Sequence, residues 1–345
     1  MEYQQIEAGE FLAKSLTIPV IDVRSPAEYC QGHVPGAYNI PLFNDEERKN
    51  VGIRYQKSGS EDSVLLGLEL IGGKLAGYVK QLHRITNQKE ILVHCWRGGM
   101  RSKSMAWLFH LAGYQPYVLT EGYNAYRKYI RKSFERDTKM IVAGGMTGSG
   151  KTKILHILAE NGIQVLDLEG IACHKGSAFG ALGQCHQPTN EQFENDLSSV
   201  WNRFDFQRVI ITEDESYSIG NVTIPQPLFD KIQQSPLIKI ELPRPERIRR
   251  LVAEYSKFDI ELLKASLLKI KQRLGGQNTK AAFQALENKD FETVAGITLD
   301  YYDKTYLFSI SKRQNKNIIT LPFEKDDPAE NASVLMNFIN DSISV

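Results

Sequence analysis

The run Gly145–Thr152, GMTGSGKT, constrains the fold of this chain more than any other stretch. It satisfies the spacing G-x-x-x-x-G-K-[ST], with an apolar run (MIVAGG) leading into it and a helix-like segment (KILHILAENG) following it. Strand, glycine-rich turn and helix in that order wrap backbone N–H groups around a phosphate. Gly145, Gly148 and Gly150 let the chain close on the anion, Lys151 supplies a point charge, and the Thr152 hydroxyl is placed to ligate a magnesium ion. Such a loop belongs to a parallel sheet whose strands end at a common edge, and VLDLEG and RVIITEDES supply further strands for it. A carboxylate at another strand end would hold the metal or its water. Asp167 and Asp214 both qualify, with Glu213 and Glu215 beside the latter, and each is equally readable as a helix N-cap or a surface acid. The polar, glycine-bearing run CHKGSAFGALGQCH reads as a ligand-facing loop, with His174, Lys175, Gly176, Ser177 and Gly180 as candidates for phosphate contact.

A second glycine turn lies at Leu92–Ser102, LVHCWRGGMRS. Ile91–Val93 delivers Cys95 to a strand end, and SKSMAWLFHLAG reads as the next helix. Backbone N–H groups freed by Gly98 and Gly99, the helix dipole, and the side chains of Arg97 and Arg101 all favour a thiolate and a neighbouring oxyanion. Two chemistries fit. The spelling His-Cys-x5-Arg suits a cysteine phosphatase, whereas Cys-x-x-Gly suits a sulfur carrier. His94 either tunes the thiol or simply packs.

The rest of the chain sets limits. A length of 345 residues favours two domains, and the start of the apolar run at Met140 puts their boundary near 136, giving 1–135 and 136–345. Short strand-like runs (PVIDVR, EILVHCW, PYVLT) alternate with helical ones in the first part, as in a small α/β domain. The net charge of +1 excludes neither an anionic nor a cationic partner, because a local patch decides. Arg244–Lys280 carries ten Lys or Arg against four Asp or Glu, on a solvated face or an RNA surface. Four scattered cysteines without a CxxC pair predict no disulfide framework and no zinc ribbon. Cys173-His174 and Cys185-His186 match no zinc spacing and read as loop residues. An acidic start and the lack of any apolar run near 20 residues predict a cytoplasmic, reduced protein without a membrane partner.

The segment IDVRSPAEYCQGHVPGAYNIP, with Asp22, Arg24, Glu28, Gly32, Pro35 and Gly36, resembles the rhodanese family when joined to the Cys95 loop. Fused to a P-loop NTPase-like α/β domain with a helical, basic C-terminal part, and carrying CWRGGMRS, GGMTGSGKT, DLEGIACHKGSAFG, EDES and RLGG, the chain resembles the tRNA 2-selenouridine synthase family over nearly its whole length. Cys173 departs from that pattern. The resemblance implies a transferase that attaches geranyl from geranyl diphosphate to wobble 2-thiouridine, then replaces the geranylthio group with selenium from selenophosphate. It implies that Cys95 carries selenium as a selanyl-cysteine and that Arg97, Arg101, Gly98 and Gly99 hold the selenophosphate. The phosphate loop would take the diphosphate, with Lys151 and magnesium at Thr152 stabilising the leaving group, and no tightly bound cofactor is implied. The anticodon region of tRNA would lie on the helices of about 244–285 through Arg247, Arg249 and Arg250, with Arg127, Lys128, Arg131 and Lys132 near the domain junction. Tyr123, Tyr126 and Phe258 are stacking candidates. A selenophosphate-supplying enzyme is an implied partner. A phosphatase and a non-enzymatic nucleotide-binding regulator are the rival readings.

Overall fold

The computed structural model describes residues 3–313 and 315–343, which form two compact units: 1–133 with 194–199, and 134–193 with 200–345. The first unit thus ends close to the expected boundary and also takes in six residues from the middle of the helix Asn190–Trp201. No described helix is long and apolar enough to cross a membrane.

The first unit is built on five parallel strands, β1 (Gln4–Ile6), β2 (Val20–Asp22), β3 (Tyr38–Asn39), β4 (Glu90–His94) and β5 (Gln115–Leu119), in the order β1-β5-β4-β2-β3. A parallel strand covered on both faces needs a continuous apolar run rather than alternation. Ile91, Leu92 and Val93 of β4 meet that need, each wholly buried. Ile91 and Val93 face Met105 and Phe109 on one side, and Leu92 faces Phe11 and Tyr123 on the other. Ser25 and Glu28 form a capping box on the helix Pro26–Gln31 and aim it away from β2. Behind the strand ends, Asp22 and Arg24 make a fully buried ion pair, Nη2 to Oδ2 2.6 Å, while Arg24 also donates to the Gly32 carbonyl at 2.7 Å. The guanidinium lies 3.8 Å from the Tyr123 ring centre.

The second unit has a parallel sheet of β6 (Met140–Gly145), β7 (Gln164–Leu166), β8 (Ile210–Glu213), β11 (Leu237–Glu241) and β12 (Ile318–Pro322), in the order β12-β11-β6-β8-β7. A two-stranded hairpin, β9 (Ser218–Ile219) with β10 (Val222–Thr223), stands apart. Ile154, Leu155 and Leu158 of the helix Lys151–Glu160 join Leu335 and Ile339 of the helix Pro328–Ile343 against the sheet. The five helices from Arg244 to Lys312 are an insertion between the adjacent strands β11 and β12, with their own core of Leu263, Leu267, Leu286 and Val294. The expected parallel edge is present, but β11 and β12 are additional to it. Partners separated by such an insertion are invisible to local periodicity.

One expectation is overturned. Cys173 and Cys185 are disulfide-bonded, with Cα atoms 5.5 Å apart, whereas scattered cysteines predicted no such bond. Twelve residues of sequence separation are closed by the turns of the loop between them. Cys30 and Cys95 are free.

Removing one member of a buried ion pair leaves a charge without a partner and costs about 3–5 kcal/mol. Arg24→Ala is therefore expected to lower the urea-unfolding free energy by that amount. The double change Asp22→Asn with Arg24→Gln should recover part of it, and an unchanged midpoint in Arg24→Ala would contradict the pairing.

Candidate functional site

In the first unit β4 stops at His94, and Cys95 opens the turn that leads to the helix Met100–Leu111. Its thiol is 2% exposed and lies 3.2 Å from the Ser102 hydroxyl, which also hydrogen-bonds the Gly99 carbonyl at 3.1 Å. Gly98 (φ 61) and Gly122 (φ 62) hold the turn in shape: a Cβ on Gly122 would sit 2.3 Å from the Cys95 carbonyl oxygen. That contact leaves room for Tyr123 N–H to donate to the same oxygen at 2.8 Å. Arg101 makes a forked contact with Glu28, 2.6 and 3.2 Å, and Arg97 is exposed at the rim. Burial pushes the Glu28 carboxyl up, but the Arg101 bond and charge outweigh it and hold the group below its ordinary value. Arg48, 3.8 Å from Glu28, adds a third guanidinium within electrostatic reach of Cys95. No local pattern marks Arg48, since it arrives from the helix Asp45–Ile71. His94 points to the opposite face, against Phe11 and Tyr123, and burial lowers its pKa to about 4. It packs as a neutral ring.

In the second unit β6 ends at Gly145, and the loop turns through Gly148 (φ 80) and Gly150 (φ 83) into the helix Lys151–Glu160. Gly144 permits the closest approach, since a Cβ there would lie 2.5 Å from the Tyr306 hydroxyl. Lys151 Nζ donates to the Gly145 carbonyl at 3.1 Å, across the concavity that the loop encloses. The Thr152 hydroxyl donates to Glu169 at 3.1 Å. Neither acid expected to stand there does so. Asp167 caps the helix Leu168–Ala172 through Gly170 N–H and contacts His156 at 2.9 Å, and Asp214 pairs with Arg313 at 2.8 Å. Burial nevertheless raises the Asp214 pKa against the pull of Arg313 and Lys151. The carboxylate at Thr152 is Glu169, two residues beyond Asp167 in the quoted DLEG, and the turn of the cap swings it inward. Glu213 accepts from the N–H groups of Leu168 and Glu169, and burial holds its pKa well above the ordinary value. Burial and the nearby Glu169 push Glu215 up to about 8. Among the described residues no group of three or more His, Cys, Asp or Glu is arranged to hold a metal alone. A magnesium ion on Thr152 would have Glu169 as its neighbouring carboxylate.

The loop after this cap is tied inward. His174 is 8% exposed and fits against Gly180, while Lys175 pairs with Glu254. Both side chains expected at a phosphate are therefore engaged within the protein. Ser177 accepts from Phe179 N–H at 3.2 Å. The expected RNA contacts divide by helical face. Arg247 lies inward, donating through both terminal nitrogens to Asp303 at 2.8 Å and through one to the Thr147 carbonyl at 3.3 Å. Arg250 pairs with Asp326 one turn on. Arg249, between them in sequence, is 66% exposed and paired with Glu246, because successive helix positions point about 100° apart. In the first unit Arg127 is buried on Glu194 and Asn195, and the exposed Arg131 also reaches Glu194 at 3.0 Å. Tyr123 and Tyr126 are fully covered, which removes them as stacking surfaces.

A thiol turn ringed by arginines in one α/β unit and a phosphate loop in the next define a two-module protein, rhodanese-like followed by P-loop-like. Residues 4–129 match the rhodanese-like domain family, and residues 138–325 match the family described as tRNA 2-selenouridine synthase AAA domain. A tRNA 2-selenouridine synthase from Hydrogenovibrio crunogenus is 34% identical over 87% of this chain and 91% of its own. Another, from Bdellovibrio bacteriovorus, is 33% identical over 86% and 90%. The chain belongs to the tRNA 2-selenouridine synthase family.

The neutral His94 makes stability depend on pH with a definite sign. Its pKa is depressed in the folded state, so between the unfolded value of about 6.5 and the folded value of about 4 the unfolded chain binds the extra proton. Stability then falls as pH falls through that window. In urea melts at pH 7, 5.5 and 4.5, His94→Gln should lose less stability than the parent, and an equal loss would show that the ring is not held neutral.

Proposed function

We propose that this chain modifies tRNA, converting wobble 2-thiouridine to 2-selenouridine through an S-geranyl intermediate, with geranyl diphosphate and selenophosphate as substrates. The observation that supports this most is the pairing in one family member of a thiol turn and a phosphate loop, each shaped for an anion. In the first step the 2-thiouridine sulfur bonds to the terminal carbon of geranyl, the carbon–oxygen bond breaks, and diphosphate leaves with the electron pair. Lys151 and the loop N–H groups stabilise the charge that builds on it. In the second step selenium takes the place of the geranylthio group at the same base carbon. Cys95 is the selenium carrier in this reading, and Arg97, Arg48 and the Glu28-anchored Arg101 favour its thiolate and an adjacent phosphate. A phosphatase uses the first turn alone and leaves Lys151 without a task.

The tRNA backbone is assigned to exposed cations of the helical insertion, Arg249, Lys269, Lys271, Arg273 and Lys280, in place of Arg247 and Arg250. Replacing Lys269, Lys271 and Arg273 together with Ser should weaken tRNA binding. Each lost phosphate contact should flatten its salt dependence by roughly 0.7–0.9 in log–log slope. An unchanged slope at undiminished affinity would move the RNA surface elsewhere.

Nucleoside mass spectrometry of tRNA separates the two steps. Cys95→Ala is expected to abolish 2-selenouridine while geranylated thiouridine accumulates. Lys151→Ala should slow geranylation by about 10²–10³ yet leave selenation of tRNA supplied already geranylated. Loss of the geranylated base in Cys95→Ala, with the fold intact, would refute the division of labour.

A further inference from the structure

The helical insertion between β11 and β12 encloses an empty space of about 510 Å³ whose mouth includes Thr147, a residue of the phosphate loop itself. A volume of that size lies in the range of small-molecule sites, roughly 300–1,000 Å³. Its inner wall is carbon: Leu263, Leu286, Phe291, Val294 and Ala295 come from three helices, and Phe179 comes from the loop after Cys173. The polar atoms nearby already have partners inside the protein. The hydroxyls of Tyr255 and Tyr302 meet Ser177, Ala178 N–H donates to Tyr302 at 3.0 Å, and Thr298 donates to the carbonyls of Val294 and Ala295 at 3.0 Å. A nucleobase needs unpaired donors and acceptors along its edge, and this wall offers it few. A hydrocarbon needs none. Arg247 fixes the junction, since its guanidinium donates to the Thr147 carbonyl while Asp303, on the helix Phe291–Lys312 that carries Val294 and Ala295, holds it from the other side. Phosphate loop and apolar wall are thus held at one separation.

We infer that this cavity receives the hydrocarbon tail of a prenyl diphosphate whose head lies in the Gly145–Thr152 loop, and that Leu286 and Ala295 set the tail length it accepts. The inference rests on the diphosphate reading of that loop and adds to it a tail site, a length limit and the residues that set the limit. The inserted helices therefore have two faces with different tasks, hydrocarbon within and cations without.

Calorimetric titration of the full chain with pyrophosphate, dimethylallyl, geranyl and farnesyl diphosphates, ATP and geraniol tests it. Each buried carbon is worth roughly fourfold in affinity, so geranyl diphosphate should bind on the order of a hundredfold or more tighter than dimethylallyl diphosphate. Its binding heat capacity should also be more negative than that of pyrophosphate. Ala295→Leu, which fills the cavity, should remove at least about tenfold of the geranyl advantage, and Leu286→Ala should shift preference toward farnesyl. Pyrophosphate affinity within about twofold of the parent certifies that a variant is folded, and the comparison of tail lengths on the parent needs no variant. Geranyl diphosphate binding no tighter than pyrophosphate, a geranyl advantage untouched by Ala295→Leu, or ATP binding tighter than every prenyl diphosphate would each overturn the tail site. Geraniol binding at a loop that ignores pyrophosphate would instead uphold the cavity and refute the diphosphate reading.

Discussion

Buried or half-buried carboxylate–guanidinium pairs hold the working loops of both units from behind. Asp22–Arg24 joins the end of β2 to the Gly32 turn, and Glu28–Arg101 ties the helix Pro26–Gln31 to the first turn after Cys95. Arg247–Asp303 clamps the phosphate loop at Thr147, and Arg313–Asp214 fixes the strand end beside it. Guanidinium suits the task, being permanently charged and able to present two parallel donors to one carboxylate. A pair of this kind adds little net stability against an apolar replacement, yet loss of one member is costly. The arrangement therefore favours a fixed loop geometry over a large stability gain. Loops that must present N–H groups to an anion need that fixity, because the groups have no secondary-structure partner to hold them.

The parts of this organisation that a reader of the sequence can see are those set by neighbours in the chain. The phosphate loop is legible because its glycines, Lys151 and Thr152 are contiguous and flanked by β6 and a helix. The thiol turn is legible for the same reason. Family resemblance carried the substrates, which no spacing in the chain encodes. Three-dimensional choices are less legible. Asp167 and Asp214 sit where a metal-holding acid belongs, but a cap at Gly170 and an ion pair with Arg313 engage them, and Glu169 reaches Thr152 instead. The Cys173–Cys185 bond depends on how the loop turns, and the pairing of β11 with β12 spans an insertion of five helices. Arg48 comes to the thiol turn from a different helix, so nothing near Cys95 in sequence announces it.

The acids around Thr152 bear on how the second unit treats a diphosphate. Glu169, Glu213 and Glu215 crowd one another, and burial and mutual repulsion raise the last two. Lys151 opposes the shift at Glu215, so the cluster and the cation already lean on each other before any anion is considered. Adding negative charge at the loop would drive protons onto these carboxylates. Adding a cation at Thr152 would draw them off. Diphosphate affinity is thereby coupled to proton uptake or to cation binding, and the presence of Glu169 at the Thr152 hydroxyl favours the latter.

The basic stretch Arg244–Lys280 shows why a count of charge along a chain cannot assign roles. Its arginines and lysines divide by helical face: Arg247 and Arg250 turn inward to acids, whereas Lys269, Lys271, Arg273 and Lys280 stay in water. Between these cations the same helices place Leu263, Leu267 and Leu274 at 6% exposure or less. One amphipathic insertion can thus face apolar space on one side and a polyanion on the other. The two ligands of the proposed first step, a prenyl diphosphate and a tRNA, differ in just this way, one carrying its binding surface as hydrocarbon and the other as phosphate. An insertion of this composition between β11 and β12 meets both requirements without enlarging the sheet that carries the phosphate loop.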